Sequence, residues 1–106
     1  MKSIEKRPGC LKCALDIVGD KWTPLIVAEM TSSPRTFSQL ETSLIGISPR
    51  TLSARLDKLA DEQIIEKIRY CEHPPRHQYK LTKKGAELRT LLVDMASWGS
   101  KYYKAS

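Results

Sequence analysis

The sequence predicts a mainly α-helical fold with one small β-hairpin, an α+β arrangement. Three observations predict it: two short capped segments around Gly46, two β-prone runs around a pair of prolines, and a long apolar C-terminal stretch. A chain of 106 residues, 41% of them apolar, has room for one hydrophobic core. We therefore expect a single domain over residues 1–106.

Two helices are predicted at the N-terminal end. In the first, apolar residues recur at i, i+3, i+4 and i+7, and Gly19 ends the helix. These residues are Leu11, Ala14, Leu15 and Val18. In the second, over residues 20–30, Asp20 or Thr23 is the expected N-cap and Pro24 lies in the first turn. Its expected buried face consists of Trp22, Leu25, Ile26 and Met30.

Two short helices follow, with Gly46 between them. Ser38 and Glu41 match the S-x-x-E capping box of the first. The second has Ser48 as N-cap and Pro49 at its first helical position, where a missing N–H costs nothing. Two capped helices separated by a glycine turn are typical of a helix-turn-helix.

The second of these helices has two distinct faces. Leu52, Leu56 and Leu59 share one stripe, whereas Arg50, Thr51, Ala54 and Lys58 lie on the far side. Such a polar face suits the major groove of DNA, where arginine reads guanine and the methyl groups of threonine or alanine meet thymine. An ordinary amphipathic helix with a solvated face is the alternative.

A basic hairpin is predicted next. Residues 64–70 and 77–82 are β-prone, and the connection at 71–76 contains Pro74 and Pro75. Six basic and two acidic residues lie between Glu66 and Lys84, so this segment carries much of the net charge of +6. A helix-turn-helix followed by such a hairpin is the winged-helix arrangement, in which the wing contacts phosphate or the minor groove.

The C-terminal helix begins after Thr82, its expected N-cap. Five large apolar side chains recur along it, more than the edge of a small monomer needs: Leu88, Leu91, Leu92, Met95 and Trp98. We expect this helix to pack against a second chain. The alternative is that it folds back on its own first helix.

Composition limits the function classes. A net charge of +6 and a pI near 9.4 favour a polyanionic partner. No apolar run approaches the ~18 residues of a membrane span and no apolar segment follows the charged N-terminus, so we expect a cytoplasmic protein without a membrane partner. Three cysteines fit a reducing compartment. The sequence lacks G-x-S-x-G, H-E-x-x-H and P-loop motifs, and we expect neither an enzyme nor a cofactor.

Five segments in order resemble the HxlR-type winged helix-turn-helix transcription regulators, relatives of the MarR group. The segments are ALDIVGDKWTPLIV, RTFSQL, GISPRTLSARLDKL, PPRHQYKLTKKG and WG. The resemblance implies a homodimeric regulator on a pseudo-palindromic operator, with recognition helices about 34 Å apart or a multiple of it. It implies dimerisation helices at 10–31 and 83–104 and a DNA-binding part at 35–82.

The expected site residues fall into three groups, taken together from the residue pattern and the resemblance. The recognition helix would contribute Ser48, Arg50, Thr51, Ala54, Arg55 and Lys58. The wing and its flank would contribute Arg35, Arg69, His73, Arg76 and His77. The dimer interface would contain Leu11, Leu92, Met95, Trp98 and Tyr102, whereas Trp22 would belong to the core.

The resemblance also implies a sensing cysteine before the first helix, so that a small electrophile or another ligand could act as inducer. Cys10 lies one residue closer to the GDKW motif than the usual family cysteine, and Leu11 replaces the usual proline. Cys10 is still the first redox candidate, since neighbouring Lys6, Arg7 and Lys12 favour a thiolate, and Cys13 is the second as an additional thiol.

Besides the possibility that the cysteines are only small apolar fillers of the packing, two alternatives stay open. A zinc-stabilised variant would use the C-x-x-C pair with Cys71 and His73, although no metal is our main expectation. A winged-helix module that binds proteins without DNA is the other.

Overall fold

Five helices and one antiparallel hairpin make up the described part of the chain. The computed structural model describes residues 11–30 and 33–103. The helices are α1 (Leu11–Val18), α2 (Trp22–Glu29), α3 (Phe37–Ser43), α4 (Pro49–Asp61) and α5 (Lys83–Tyr102). The strands are β1 (Ile65–Glu72) and β2 (Pro75–Leu81). The predicted fold class, α-rich with a single hairpin, is confirmed.

The core lies between α2, the helix-turn-helix and the start of β1. The predicted leucine stripe of α4 is buried, and Ile64 and Ile65 pack into the same cluster. On α2 the prediction is only partly right. Ile26 and Met30 are buried, but Leu25 is 45% exposed and Trp22 is only half-buried. The buried stripe runs through Thr23, Ile26, Val27 and Met30, because these positions share one helix face.

The helix caps position the helix-turn-helix. Ser48 accepts a hydrogen bond from the N–H of Thr51 at 3.1 Å with Pro49 at the first position, as predicted. The capping box of α3 was predicted at the wrong residues. Thr36 and Gln39 form it. The N–H of Gln39 donates to the Thr36 hydroxyl at 3.1 Å, and the N–H of Thr36 donates to the Gln39 side chain at 2.9 Å. Starting the helix there places Phe37 against the core.

The hairpin is longer than predicted. β1 extends to Glu72 and β2 begins at Pro75, so the expected connection at 71–76 shrinks to a two-residue turn. Proline is tolerated there because the first residue of a strand need not donate to the ladder. The register shifts between Arg69 and Cys71, which leaves Tyr70 as the extra residue of a β-bulge.

Two further contacts fix the wing to the rest of the fold. Arg35 and Tyr79 exchange backbone hydrogen bonds of 2.8 and 2.7 Å, an added bridge beside β2. At the other end of β2, Thr82 caps α5 by accepting from the N–H of Gly85, as predicted. α5 then packs against α2 and β2.

Candidate nucleic-acid interface

The N-terminal half of α4 presents a small polar surface. Arg50 and Ala54 are exposed and Thr51 is half-buried. The hydroxyl of Ser48 donates to that of Thr51 at 2.9 Å, so these two polar side chains lie together at the helix start. The structure thus brings together four of the six predicted recognition residues. Because the leucine stripe holds the opposite face in the core, this surface is available to a ligand.

Arg55 and Lys58 are placed differently from the other predicted recognition residues. The Nε of Arg55 lies 3.2 Å from Oδ1 of Asp20, and the Nζ of Lys58 donates to the carbonyl oxygen of Asp16 at 2.7 Å. Arg55 therefore contacts the α1–α2 connection, and Lys58 contacts the end of α1. The sequence pattern could not show this, because the partners lie 35 and 42 positions away along the chain.

Asp20 is the most strongly perturbed acid of this region. Burial raises its pKa, but hydrogen bonds outweigh burial and lower the pKa to about 2. The donors are the hydroxyl and N–H of Thr23, the N–H of Trp22 and the guanidinium of Arg55. Of the two caps predicted for α2, Asp20 is the one that closes the helix start. Asp20 is therefore ionised at neutral pH and binds two helices at once.

The predicted wing residues are spread along the hairpin. Arg76 and His73 are exposed near the turn, whereas His77 is half-buried. Arg69 pairs across the strands with His77 and approaches Glu72 at 3.4 Å. A contact between such exposed charges is weak, so it does little to hold the Arg69 side chain in place.

Arg35 belongs to the flank of the wing rather than to its tip. Its guanidinium is 3.9 Å from Glu29, and its backbone forms the bridge to Tyr79. The pKa of Tyr79 is raised, first by burial and then by the charge of Asp57. Through Glu29 and Tyr79, Arg35 therefore connects α2 and the wing at the start of the helix-turn-helix.

Two features, one on the hairpin and one beside α3, were not predicted from the sequence. Tyr70 is 48% exposed on the bulge of β1, and a bulge in a strand gives no local sequence signal. A shallow depression of about 310 Å³ lies along α3, and its lining includes Arg35, Ser38, Gln39 and Thr42. Ser38, which the sequence pattern predicts as a helix cap, is instead exposed and lines this depression.

A second group of exposed residues, on the neighbouring helices α1, α2 and α5, is apolar. Leu11, Met95, Trp98 and Tyr102, all predicted for a dimer interface, are each about 60% exposed or more. The rings of Trp98 and Tyr102 lie 5.5 Å apart between centroids. Leu92, also predicted there, belongs to the chain's own core at 8% exposure and is removed from the set. We call the exposed residues Leu11, Leu15, Leu25, Leu91, Met95, Trp98 and Tyr102 the outer apolar face.

The sequence profile of the HxlR-like helix-turn-helix family matches residues 17–106. The chain belongs to this family. Its relatives include an uncharacterised helix-turn-helix transcriptional regulator of Mycobacterium tuberculosis, 39% identical over 89 residues. That match covers 84% of this chain and 56% of the relative, so the chain spans just over half of that relative's length. Regulator YvaP of Bacillus subtilis is 33% identical over 88% of this chain and 86% of its own.

Solved structures of bacterial and archaeal transcription factors share the fold. The reduced form of the regulator YodB from Bacillus subtilis has a TM-score of 0.77 at 26% identity, covering 89% of this chain and 92% of that one. An HxlR family factor from Thermoplasma volcanium has a TM-score of 0.73 at 29% identity, over 87% and 83% of the two chains. The predicted family and the winged-helix arrangement are thereby confirmed.

Two of the three cysteines lie among the described residues. Cys13 is exposed on α1 and Cys71 is half-buried on β1. Cys10, the first redox candidate, lies outside the described residues. Within residues 11–30 and 33–103 no group of three or more His, Cys, Asp or Glu residues could hold a metal. The same residues include no helix long and apolar enough to cross a membrane.

Proposed function

We propose that this chain of the HxlR-like family is a transcriptional regulator that binds a pseudo-palindromic DNA operator as a homodimer. The observation that carries the proposal is the exposed N-terminal half of α4, which presents Arg50 and Ala54 away from a buried leucine stripe and precedes a basic hairpin. A helix presented in this way fits the major groove.

Each group has a distinct role in the proposed complex. Arg50 would donate to a guanine edge, and the methyl groups of Thr51 and Ala54 would contact thymine. Arg76 and Arg69 would contact phosphates or the minor groove beside the half-site. Because base contacts specify and phosphate contacts position, replacing Arg50 changes sequence preference, whereas replacing Arg76 weakens binding to all sequences.

The homodimer is proposed from the outer apolar face. Its seven large apolar side chains, exposed on three neighbouring helices, are more than a protein surface normally leaves in contact with water. A twofold arrangement would bury the same face on both copies and place two α4 helices on one side of the dimer. Such symmetry matches a pseudo-palindromic site.

Electrophile or oxidant sensing is a second proposal, favoured by the exposed thiol of Cys13 on α1. The structural neighbours include YodB treated with diamide and the redox regulator HypR in oxidised and reduced forms. Treatment with diamide and then with reductant tests this proposal. We expect diamide to release the bound DNA and the reductant to restore binding. A variant with both Cys10→Ser and Cys13→Ser should show neither effect. Binding indifferent to diamide would return these thiols to a structural role.

Operator selection tests the main proposal. The full chain is incubated with a random DNA library, and the enriched sequence is titrated by fluorescence anisotropy. We expect an inverted repeat, two chains per site, and relaxed preference at one base pair per half-site for Arg50→Ala. Lys12→Ala, an exposed basic residue on α1, is the control and should keep that preference. Absence of enrichment would favour the module that binds proteins without DNA.

A further inference from the structure

Asp20 connects three segments of the fold. Its Oδ1 accepts from the N–H groups of Trp22 and Thr23, each at 2.9 Å, and its Oδ2 accepts from the Thr23 hydroxyl at 2.6 Å. The remaining contact is Arg55 of α4, with Nε 3.2 Å from Oδ1. The side chains of Asp20 and Arg55 are only 29% and 34% exposed, so this ion pair is better shielded than the pair Arg69–Glu72.

A second polar contact joins the same two parts of the molecule. Lys58, one turn beyond Arg55 on α4, donates to the carbonyl oxygen of Asp16 near the end of α1. A free carbonyl in the last turn of a helix is an orphan acceptor, and a lysine satisfies it well. The two contacts, which we call the α4 clamp, hold the middle of α4 to the corner between α1 and α2.

Apart from the clamp, α1 is held by its contact with α2 and by Ile17, which packs against the core. None of its residues is buried, and Leu11 and Leu15 belong to the outer apolar face. The clamp therefore attaches α1, which belongs to the proposed dimer interface, to α4, which carries the residues proposed to contact DNA bases. Leucines of α4 fix its depth in the core, but apolar contacts are not directional. Charged hydrogen bonds are directional, so the clamp restricts rotation of α4 relative to the corner between α1 and α2.

We propose that Asp20 is a positioning residue for operator recognition: through Arg55 it sets the orientation of α4 relative to the dimer face, and hence the separation of the two reading helices. This inference rests on the proposed function. It assigns Arg55 and Lys58 to positioning α4, and leaves base recognition to Arg50, Thr51 and Ala54.

The competing role for Arg55, direct contact with DNA, predicts the opposite sign. If Arg55 binds phosphate, Asp20 competes for it and adds a repelling negative charge, so Asp20→Asn would tighten binding and Arg55→Met would lower the salt slope. If the clamp positions α4, both substitutions weaken binding and neither changes the salt slope.

The test measures binding against half-site spacing. The selected operator and versions lengthened or shortened by one base pair at the centre are titrated with wild type, Asp20→Asn, Arg55→Met, Arg55→Lys and the double variant Asp20→Asn/Arg55→Met. Asparagine retains an acceptor for the N–H groups of Trp22 and Thr23, and Arg55→Met leaves Asp20 to cap α2. At least one variant therefore keeps the fold, which circular dichroism checks.

We expect Asp20→Asn and Arg55→Met each to lose roughly threefold to tenfold in affinity for the preferred spacing, as fits a loss of about 1 kcal/mol. Both should lose less for the altered spacings, so that spacing preference flattens. The double variant should resemble the single variants, since both remove the same contact. Arg55→Lys should recover part of the preference because it keeps the charge.

Tighter binding by Asp20→Asn, additive effects in the double variant, or an unchanged spacing preference in folded variants would each overturn the inference. Failure of the proposed function looks different. In that case the wild type itself would show no salt-dependent binding to an operator of any spacing. That result would overturn both the proposed function and this inference.

Discussion

Gly85 provides the sharpest test of how α5 is attached to the wing. A Cβ built at Gly85 would lie 2.0 Å from the carbonyl oxygen of Ile64 and 3.1 Å from Cδ2 of Leu81. The first distance is far below any real contact, and its partner is backbone at the start of β1. Gly85→Ala therefore requires the first turn of α5 to move by about 1 Å or more, since carbon and oxygen normally remain over 3 Å apart.

The cost follows from the bonds that this movement disrupts. The Ile64 carbonyl accepts the N–H of Thr82 at 3.0 Å, and the Thr82 hydroxyl caps α5 by accepting the N–H of Gly85 at 3.0 Å. Two such bonds contribute about 1 kcal/mol each, and disturbed packing at Leu81 adds to them. The helix preference of alanine over glycine returns about 0.5–1 kcal/mol. We expect a net loss of about 2 kcal/mol in the free energy of unfolding.

Urea denaturation at fixed protein concentration measures this loss. Gly99→Ala is the matched control, because nothing lies within 4 Å of its Cβ position and its stability should stay equal or rise slightly. If Gly85→Ala unfolds at the same urea concentration as the wild type, the close approach of α5 to Ile64 is wrong.

Three other predictions concern the dimer face, the Asp20 charge and the recognition helix. Met95→Glu should raise the dimer dissociation constant more than tenfold in sedimentation, whereas Ser97→Glu, on the opposite side of α5, should not. The pKa of Asp20 is lowered from 3.8 to about 2, so its carboxylate stabilises the fold above pH 4 and this contribution disappears as pH falls toward 2. The stability gap between wild type and Asp20→Asn, on the order of 1 kcal/mol at pH 7, should therefore close over that range in acid denaturation; a constant gap would contradict the lowered pKa. Ser48→Ala removes the cap bond to Thr51 and should cost about 1 kcal/mol of stability, while an unchanged urea midpoint would exclude the cap.

Local signals predicted much of the fold. The leucine stripe of α4, the Ser48 cap and the Thr82 cap depend on residues within one or two turns, and all three predictions are confirmed. The α3 cap shows where local signals are ambiguous. Both T-x-x-Q and S-x-x-E fit the segment, and only the packing of Phe37 and Leu40 against the core selects the first.

Predictions that depend on distant neighbours were less accurate. Leu91 and Leu92 are adjacent, yet Leu91 is 61% exposed and Leu92 is 8% exposed. Only the position of α2 against α5 decides which of them is core. Likewise, the sequence places Arg55 on a plausible DNA-facing helix, and only the tertiary fold shows that Asp20 is its partner.

The salt dependence of binding tests the central claim most directly. The selected operator is titrated with wild type and Arg76→Ala from low to moderate salt, and log K is plotted against log salt concentration. We predict a steep linear decrease for the wild type and a slope smaller by about two for the variant dimer, one lost phosphate contact per protomer. Binding that is insensitive to salt, or equal slopes for the two proteins, would contradict a role for the hairpin as a DNA-contacting wing.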